Sequence, residues 1–297
     1  MVTRDKSLVQ AAELWIPQGE VMALASGAYR GHQDLAAESQ RTAFHYGEGL
    51  PGAVWANGRA LLWREQAAPF VRQELAAAGV DAAVGCPLFD GDRLVGVVTL
   101  LLSGRSDAPS CVEVWDVADD LDVLKLGRGY YVQAAELERF SPHIQFQRGT
   151  GLPGLTWLSG EVQVMQDVRR SNAFIRAGLA ARSGLKHGVG VPIYRERRLV
   201  QVVALLAAEQ NSFVSSVELY HPQKAELGAA MIFDFSGRGS MQGESSADAP
   251  GRQVAQQVLT SKLPSLSQAK VAGGHEITLA FPIHDRKGLK EILVLRF

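Results

Sequence analysis

The sequence is poor in cysteine and carries almost no net charge. Cys86 and Cys111 are its only cysteines, too few for a disulfide framework, and they form no Cys-x-x-Cys motif for a metal or redox site. The formal net charge of −1 gives no overall field to attract nucleic acid or an anionic membrane. We therefore predict a protein of a reducing compartment that binds neither nucleic acid nor membrane.

Membrane-length apolar runs are missing as well. The run LVGVVTLLL at 94–102 is strand-sized, whereas a helix that spans a bilayer needs about 20 residues. The N-terminal MVTRDKSLVQ has early charges and no apolar centre of a signal peptide. The sequence thus predicts a cytoplasmic protein, and 46% hydrophobic residues in a chain of 297 can fill the cores of two or three domains.

The common catalytic and metal-binding motifs are absent too. We find no GxSxG, P-loop, Rossmann or HExxH pattern, and the seven histidines show no paired spacing. Loop or surface positions are the favoured interpretation of the histidines. No catalytic residue and no metal site are predicted, and any cofactor is unknown.

What the sequence does contain is a repeat of about 100 residues. The segment FHYGEGLPGAVWANGRALL at 44–62 recurs as FQRGTGLPGLTWLSGEVQV at 146–164. Two later segments also recur, 70–80 as 174–185 and 83–102 as 188–207. Each unit opens with a glutamate followed two residues later by an aromatic residue, in AELW at 12–15, VEVW at 112–115 and VELY at 217–220.

The third copy is predicted to be partial. Residues 277–297 keep the proline-bearing end of the repeat, but nothing in 221–276 resembles GLPG. The stretch 236–252 is rich in glycine and serine and is typical of a flexible linker. We predict three units, at 8–107, 108–212 and 213–297.

The periodicity predicts the same elements in each full unit. A strand pair comes first, and then a glycine-hinged loop enters a short helix that has Pro51 in its first turn and Gly58 as its left-handed exit. After a further strand, an amphipathic helix is expected to turn Phe70 and Leu75 inward and its arginines outward. A hairpin, marked by Asp90-Gly91 in the first unit, closes each copy.

The ordered blocks GxGLPGxxWxxG, the F-x-R helix and GxPxxxxxxxxVxxLL resemble the GAF domain, in the variant of bacterial sensor proteins. The resemblance covers most of 12–103 and 112–207 and fades in the third unit. It implies an α+β fold of tandem GAF-like domains, each an antiparallel sheet flanked by helices, with a small-molecule pocket between the sheet and the GLPG segment. Long connecting helices and an output domain are missing from the assigned sequence, so a signal would pass to a partner protein or within a homo-oligomer.

The two full units suggest which residues choose a ligand. Aromatic residues kept in both units are interpreted as fold anchors: Phe44 and Phe146, Trp55 and Trp157, Phe70 and Phe174. Positions that differ between the units are the better candidates for ligand contacts. Together with Cys86 and His187, the candidate pocket residues are Tyr46, Glu48 and Trp63 in the first unit and Arg148, Thr150 and Met165 in the second.

Three functions remain open. The first is a non-enzymatic sensory or regulatory protein that binds a small molecule and signals through a partner. The second is a degenerate GAF scaffold whose pockets have filled with side chains and which acts in protein–protein interaction. The third, a reductase of free methionine sulfoxide, would require cysteine chemistry, but the positions equivalent to Cys86 are the apolar Val191 and Phe281. Cys86 is therefore interpreted as a small core residue.

Overall fold

The repeats fold into three antiparallel sheets. The computed structural model describes residues 7–64, 72–118, 120–209, 212–223, 226–235, 251–271, 274–285 and 288–297. The first sheet has six strands in the order β3-β2-β1-β6-β5-β4. The elements of this unit are β1 Val9–Gln18, β2 Val21–Ala28, α1 Gln33–Arg41, β3 Ala43–His45, α2 Gly49–Asn57, β4 Leu61–Arg64, α3 Glu74–Ala77, β5 Ala82–Asp90 and β6 Arg93–Leu102.

The second sheet repeats this arrangement with six strands in the order β10-β11-β12-β7-β8-β9. Its elements are β7 Ser110–Ala118, β8 Val123–Val132, α4 Ala135–Phe140, a 3₁₀ turn Ser141–His143, β9 Gln145–Phe146, α5 Gly151–Ser159, β10 Gln163–Met165, α6 Ala177–Arg182, β11 Leu185–Arg195 and β12 Arg198–Ala208. Chain order and sheet order therefore match those of the first unit strand for strand.

The third sheet keeps five of the six positions, in the order β14-β13-β17-β16-β15. Its elements are β13 Ser216–Gln223, β14 Glu226–Asp234, α7 Arg252–Ser261, β15 Ser265–Val271, β16 Gly274–Asp285 and β17 Gly288–Arg296. Within the described residues it lacks a counterpart of β3 and β9. The predicted linker 236–252 is corrected at its end, since Arg252 already begins α7, and residues 236–250 lie outside the described part.

The helices are shorter than predicted, so the fold is mainly sheet. The amphipathic helix of the first unit is a single turn, Glu74–Ala77, and its counterpart has six residues, Ala177–Arg182. Phe70 lies outside the described residues. The described segments contain no helix that is both long and apolar enough to cross a membrane.

The GLPG segment forms the predicted short helix in both full units. The helices α2 and α5 have nine residues each and end at Gly58 and Gly160, whose left-handed φ angles of 59° and 63° confirm the predicted exit. The second glycine of each motif, Gly52 and Gly154, packs against the chain that enters the helix. A Cβ atom on Gly154 would lie 2.2 Å from the carbonyl oxygen of Gln147. The motif is thus held by a close backbone approach.

This contact predicts the effect of a substitution. Gly154→Ala is expected to lower the free energy of unfolding by about 2–3 kcal/mol, because backbone must move to admit the methyl group. Gly178→Ala is the control, since its Cβ would meet nothing closer than the Arg182 guanidinium at 3.5 Å. That variant should be neutral or slightly more stable. Urea denaturation of both variants checks this, and equal losses would contradict it.

Each sheet is buried on both faces. One face of all three sheets contributes to a single apolar cluster, which joins Val98 and Leu100 of β6 with Leu205 of β12 and Leu295 of β17. The opposite face of each sheet packs on its own helices in a separate cluster. The three units therefore share a central core. Where they meet, the prolines Pro87, Pro192 and Pro282 line a small apolar cavity of about 60 Å³.

Equivalent residues also join the units at two of their boundaries. Gln201 of β12 reaches into the first unit, where its side-chain oxygen accepts from Ala60 N at 2.7 Å. Glu291 holds the same place in β17 and accepts from Val162 N, again at 2.7 Å. At the boundary between the third and first units, the equivalent positions are Gly96 and Pro264. Gly96 has no side chain that could accept, and Pro264 has no N–H that could donate. This bond therefore cannot form at the boundary between the third and first units.

Candidate functional site

Beneath the GLPG helix of each full unit, at the place where a pocket is expected, lies a buried ion pair. In the second unit Glu113 is fully buried, and the Arg176 guanidinium donates to its two oxygens at 2.6 and 2.7 Å. Tyr131 Oη, Ser141 Oγ and Trp115 Nε1 donate to the same carboxylate at 2.9–3.0 Å. The carboxylate thus accepts five hydrogen bonds.

The first unit contains the same arrangement. Glu13 is 1% exposed, and it accepts from Arg72 Nη1 at 2.9 Å, Ser39 Oγ at 2.7 Å and Trp15 Nε1 at 3.1 Å. Thr99 Oγ1 donates to it at 3.2 Å. The prediction that the arginines of these segments point outward is therefore wrong for Arg72 and Arg176, whereas it holds for Arg182, whose side chain is 59% exposed. A buried glutamate needs a compensating cation, and the arginine of the F-x-R segment supplies it.

Aromatic rings complete the enclosure of the second pair. The Arg176 guanidinium carbon lies 5.3–5.5 Å from the ring centres of Trp115, Phe146 and Phe174. Phe146 also packs edge-to-face on Trp115, with ring centres 4.6 Å apart. These contacts agree with the prediction that Phe146 and Phe174 are fold anchors. They leave the guanidinium flanked by aromatic carbon.

The third unit stabilises its glutamate without a partner arginine among the described residues. Glu218 is 1% exposed and accepts from Tyr220 Oη at 2.7 Å. Gly251 N, at the start of α7, lies 3.1 and 3.2 Å from its two oxygens. A helix N-terminus favours a negative charge, so backbone groups replace the cation used in the other units.

The electrostatics of the Glu113–Arg176 pair hold both groups charged. Burial by itself would raise the pKa of Glu113, but the attraction and hydrogen bonds of Arg176 outweigh it and lower this pKa below its usual value. Burial likewise acts to lower the pKa of Arg176, and Glu113 raises it above its usual value. An ionised carboxylate with all its acceptor sites occupied is poorly suited to act as a general base.

A small cavity remains inside the first unit, among the residues that the structure describes. In the first unit a cavity of about 30 Å³ remains between Glu13, Arg72 and Trp63. A volume of this size has room for one or two water molecules. In the first unit the ion pair thus lies within the predicted pocket and borders the space that remains.

The structure separates the candidate pocket residues of the GLPG segments from this interior. Tyr46 is 63% exposed and packs its ring on Trp55. Glu48 and Thr150 are the N-cap residues of α2 and α5. Arg148 lies on the surface, 4.1 Å above the ring of Trp157 and 3.3 Å from Asp122. These four residues contact or cap the helices α2 and α5.

The other four candidates lie in four different places. Trp63 borders the small cavity of the first unit, and Met165 packs half-buried against the helix-side cluster of the second. Cys86 faces the central cavity, where burial among apolar groups raises its pKa to about 12. His187 is buried and stacks on Phe235 at 4.2 Å, so a loop or surface position is wrong for this histidine. Burial lowers its pKa.

Sequence reasoning missed the buried glutamates and arginines, although the signal was present. Glutamate recurs inside an apolar strand in all three units, two residues before Trp15, Trp115 or Tyr220. Residues i and i+2 of a strand share a face, so each aromatic ring can donate to its own glutamate. Within the described residues no group of three or more His, Cys, Asp and Glu could hold a metal ion.

A larger opening lies between the first and second sheets. Here β4 faces β8 across a cleft of about 730 Å³, lined among others by Trp63, Asp116, Arg128 and Tyr131. Its volume falls in the range of small-molecule sites, about 300–1,000 Å³. Of the eight candidate residues, only Trp63 borders this cleft.

Comparison with known proteins gives likeness at the level of the fold. No family model and no curated protein matches the sequence. Among solved structures, the GAF domain of an Acinetobacter phosphoenolpyruvate-protein phosphotransferase matches with 16% identity and a TM-score of 0.26, over 32% of this chain and 52% of that one. The free methionine-R-sulfoxide reductase of Neisseria meningitidis, in complex with its substrate, gives 22% identity and 0.26, over 32% and 50%.

A third match has the same character. The GAF domain/HD domain protein of Geobacter sulfurreducens shows 11% identity and a TM-score of 0.28, over 33% of this chain and 62% of that one. The matched part thus spans between half and about three fifths of each of these structures. The chain resembles GAF domains.

Proposed function

We propose that this chain is a non-enzymatic regulatory scaffold of three GAF-like units, at 8–107, 108–212 and 213–297, which acts through a protein partner in the cytoplasm. The observation that carries the proposal is the Glu–Arg pair in each full unit. Each pair lies at the place of the expected ligand and neutralises its own charge, while the Nε atoms of Arg72 and Arg176 stay buried without a hydrogen-bond partner among the described residues. Between the two leading hypotheses, this geometry favours the scaffold over a sensor that binds its ligand inside a unit.

The chemistry of the cysteines supports the non-enzymatic part. Cys86 lies in an apolar cavity, and Cys111 is fully buried beside Glu113. Burial and then the charge of Glu113 raise the pKa of Cys111, as burial does for Cys86. A nucleophilic cysteine needs the opposite environment, one that favours the thiolate.

This predicts the thiol reactivity of the folded protein. At pH 8 iodoacetamide should modify Cys86 and Cys111 at least ~100-fold more slowly in the folded chain than in urea, since thiolate formation is suppressed. Mass spectrometry of the alkylated protein measures both rates, and the unfolded chain is the internal control. Rapid alkylation of Cys86 in the folded protein would reopen the reductase hypothesis.

The proposal itself is tested by native mass spectrometry of the full chain from its own source, set against the denatured mass. Arg128→Glu is measured in parallel, because it alters the cleft between the sheets but not the interior of a unit. We expect that any small molecule bound by wild type is lost or reduced in Arg128→Glu. A releasable mass that persists in the variant would place a ligand elsewhere and contradict the scaffold.

A further inference from the structure

The cleft between the first two sheets is a candidate binding site for a ligand. Two strands face each other across it. One is β4, and the other is the part of β8 beyond Lys125, where β8 no longer pairs with β9. A Cβ atom on Gly127 would lie 2.1 Å from the Asp116 carboxylate, so this wall admits no side chain. Because Gly127 has no side chain, the Asp116 carboxylate can lie directly against the backbone of β8.

The corresponding boundary between the third and first units is bridged by side chains. There Gln268 of β15 accepts from Tyr29 N at 2.7 Å and from Arg30 N at 3.1 Å. Arg30 in turn donates to the carbonyl oxygen of His275 at 2.5 Å. At the cleft Arg64 of β4 reaches β8 by donating to the carbonyl oxygen of Gly129, and open space remains beside this contact.

A peptide strand does not fit between the two edges. Several Cα atoms of β4 and β8 lie within 8 Å of each other. An inserted strand would require its neighbours to stand roughly 9.5 Å apart, twice the usual spacing. The occupant must therefore be a compact molecule that lies beside these points of approach.

The side chains around the cleft favour a negatively charged molecule. Arg59 pairs with Asp116 at 3.5 Å, and Arg64 pairs with Glu138 at 3.0 Å. These four side chains are 35–47% exposed, so the pairs rearrange at little cost. Arg128 is exposed and forms no ion pair with any other residue that the structure describes. Among the described residues, the charged lining thus holds one cation more than it holds anions.

Flat apolar surface lies next to these charges. Trp63 and Tyr131 are half-buried and line the cleft together with Leu126. Aromatic side chains bind planar groups by stacking and by edge contacts. A guanidinium group binds a carboxylate through two parallel hydrogen bonds.

We propose that this cleft binds a small organic acid with a planar apolar part. Its carboxylate lies on Arg128, and its flat part lies against Trp63 and Tyr131. The site joins two units, so its occupant stabilises their relative placement. It adjoins the interiors on which the proposed scaffold function rests, because Trp63 also borders the cavity of the first unit and Tyr131 also donates to Glu113.

Isothermal titration calorimetry of the full chain with 2-naphthoate tests the proposal, and neutral 2-naphthamide serves as the matched ligand. We expect saturable binding of the acid. Arg128→Ala should weaken it at least ~10-fold, because a charge-assisted hydrogen bond is lost, and should leave the amide unaffected. Trp63→Leu should weaken the binding of both ligands.

Arg170→Ala is the control variant, since Arg170 is also an exposed arginine of the second unit, with its side chain 88% exposed, and does not line the cleft. It should bind like wild type. The proposal is overturned if 2-naphthoate fails to saturate the protein up to about 10 mM, a very weak affinity. It is also overturned if Arg128→Ala and Arg170→Ala bind the acid equally well.

Discussion

Replacing Arg176 by methionine is expected to lower the free energy of unfolding by about 3–5 kcal/mol, the usual cost of leaving one partner of a buried ion pair uncompensated. Arg176 is 2% exposed, and its guanidinium donates to both oxygens of Glu113. Methionine fills much of the same volume but leaves a fully buried carboxylate without its cation. Urea denaturation at pH 7 measures the loss.

The matched control is Arg182→Met in the same unit. Arg182 also contacts a carboxylate, Glu136 at 2.6 Å, but its side chain is 59% exposed. Exposed pairs contribute about 0–1 kcal/mol, so this variant should remain close to wild type. If the two variants lost similar amounts, the buried pair would not be a structural element of the unit.

The second large effect concerns pH and the boundary between the second and third units. Burial raises the pKa of Glu291 to about 7, since the hydrogen bond from Val162 N and the attraction of Lys290 do not offset it. Glu161 adds a repulsion in the same direction as burial. The folded protein therefore retains the proton over a range of pH in which the unfolded chain has lost it.

The sign of the effect follows from this raised pKa. The stability that Glu291 contributes is fully present below about pH 4.5, the value for the unfolded chain, and is lost as the pH rises through about 7. Relative to Glu291→Gln, wild type should lose up to about 3 kcal/mol between pH 4.5 and pH 8. Unfolding curves of both proteins at several pH values check this.

The equivalent residue Gln201 provides the converse test. Its amide accepts from Ala60 N and donates to Ala60 O at 3.2 Å and to Asp116 at 2.7 Å. Gln201→Glu should therefore introduce a loss of stability with rising pH at the first boundary, made larger by the nearby Asp116 carboxylate. A parallel pH dependence in wild type and Glu291→Gln would exclude Glu291 as its source.

The repeated sequence was sufficient to predict much of the local structure. Glycines with left-handed angles, the hairpin at Asp90-Gly91 and the short GLPG helices are fixed by neighbouring residues, and the structure contains each of them. The third unit shows where this reasoning fell short. It lacks GLPG but retains the sheet order, because its strands pair through the ends of the repeat that the sequence preserves.

The site depended on contacts that no local pattern contains. Glu13 and Arg72 are 59 residues apart, and Glu113 and Arg176 are 63 apart. The rule that arginines of an amphipathic segment face solvent failed for Arg72 and Arg176, because it ignored the buried glutamate that each of them neutralises. The cleft was equally out of reach, since it arises from the placement of one sheet against the next.

A double-mutant cycle on Glu13 and Arg72 tests whether buried ion pairs close the interiors of the full units. The free energies of unfolding of wild type, Glu13→Gln, Arg72→Met and the double variant give the coupling energy. We predict a coupling of at least about 2 kcal/mol, with the double variant more stable than the sum of the single losses implies. A coupling below about 0.5 kcal/mol, with Arg72→Met as stable as wild type, would show that the arginine is not needed to close the unit and would contradict the account.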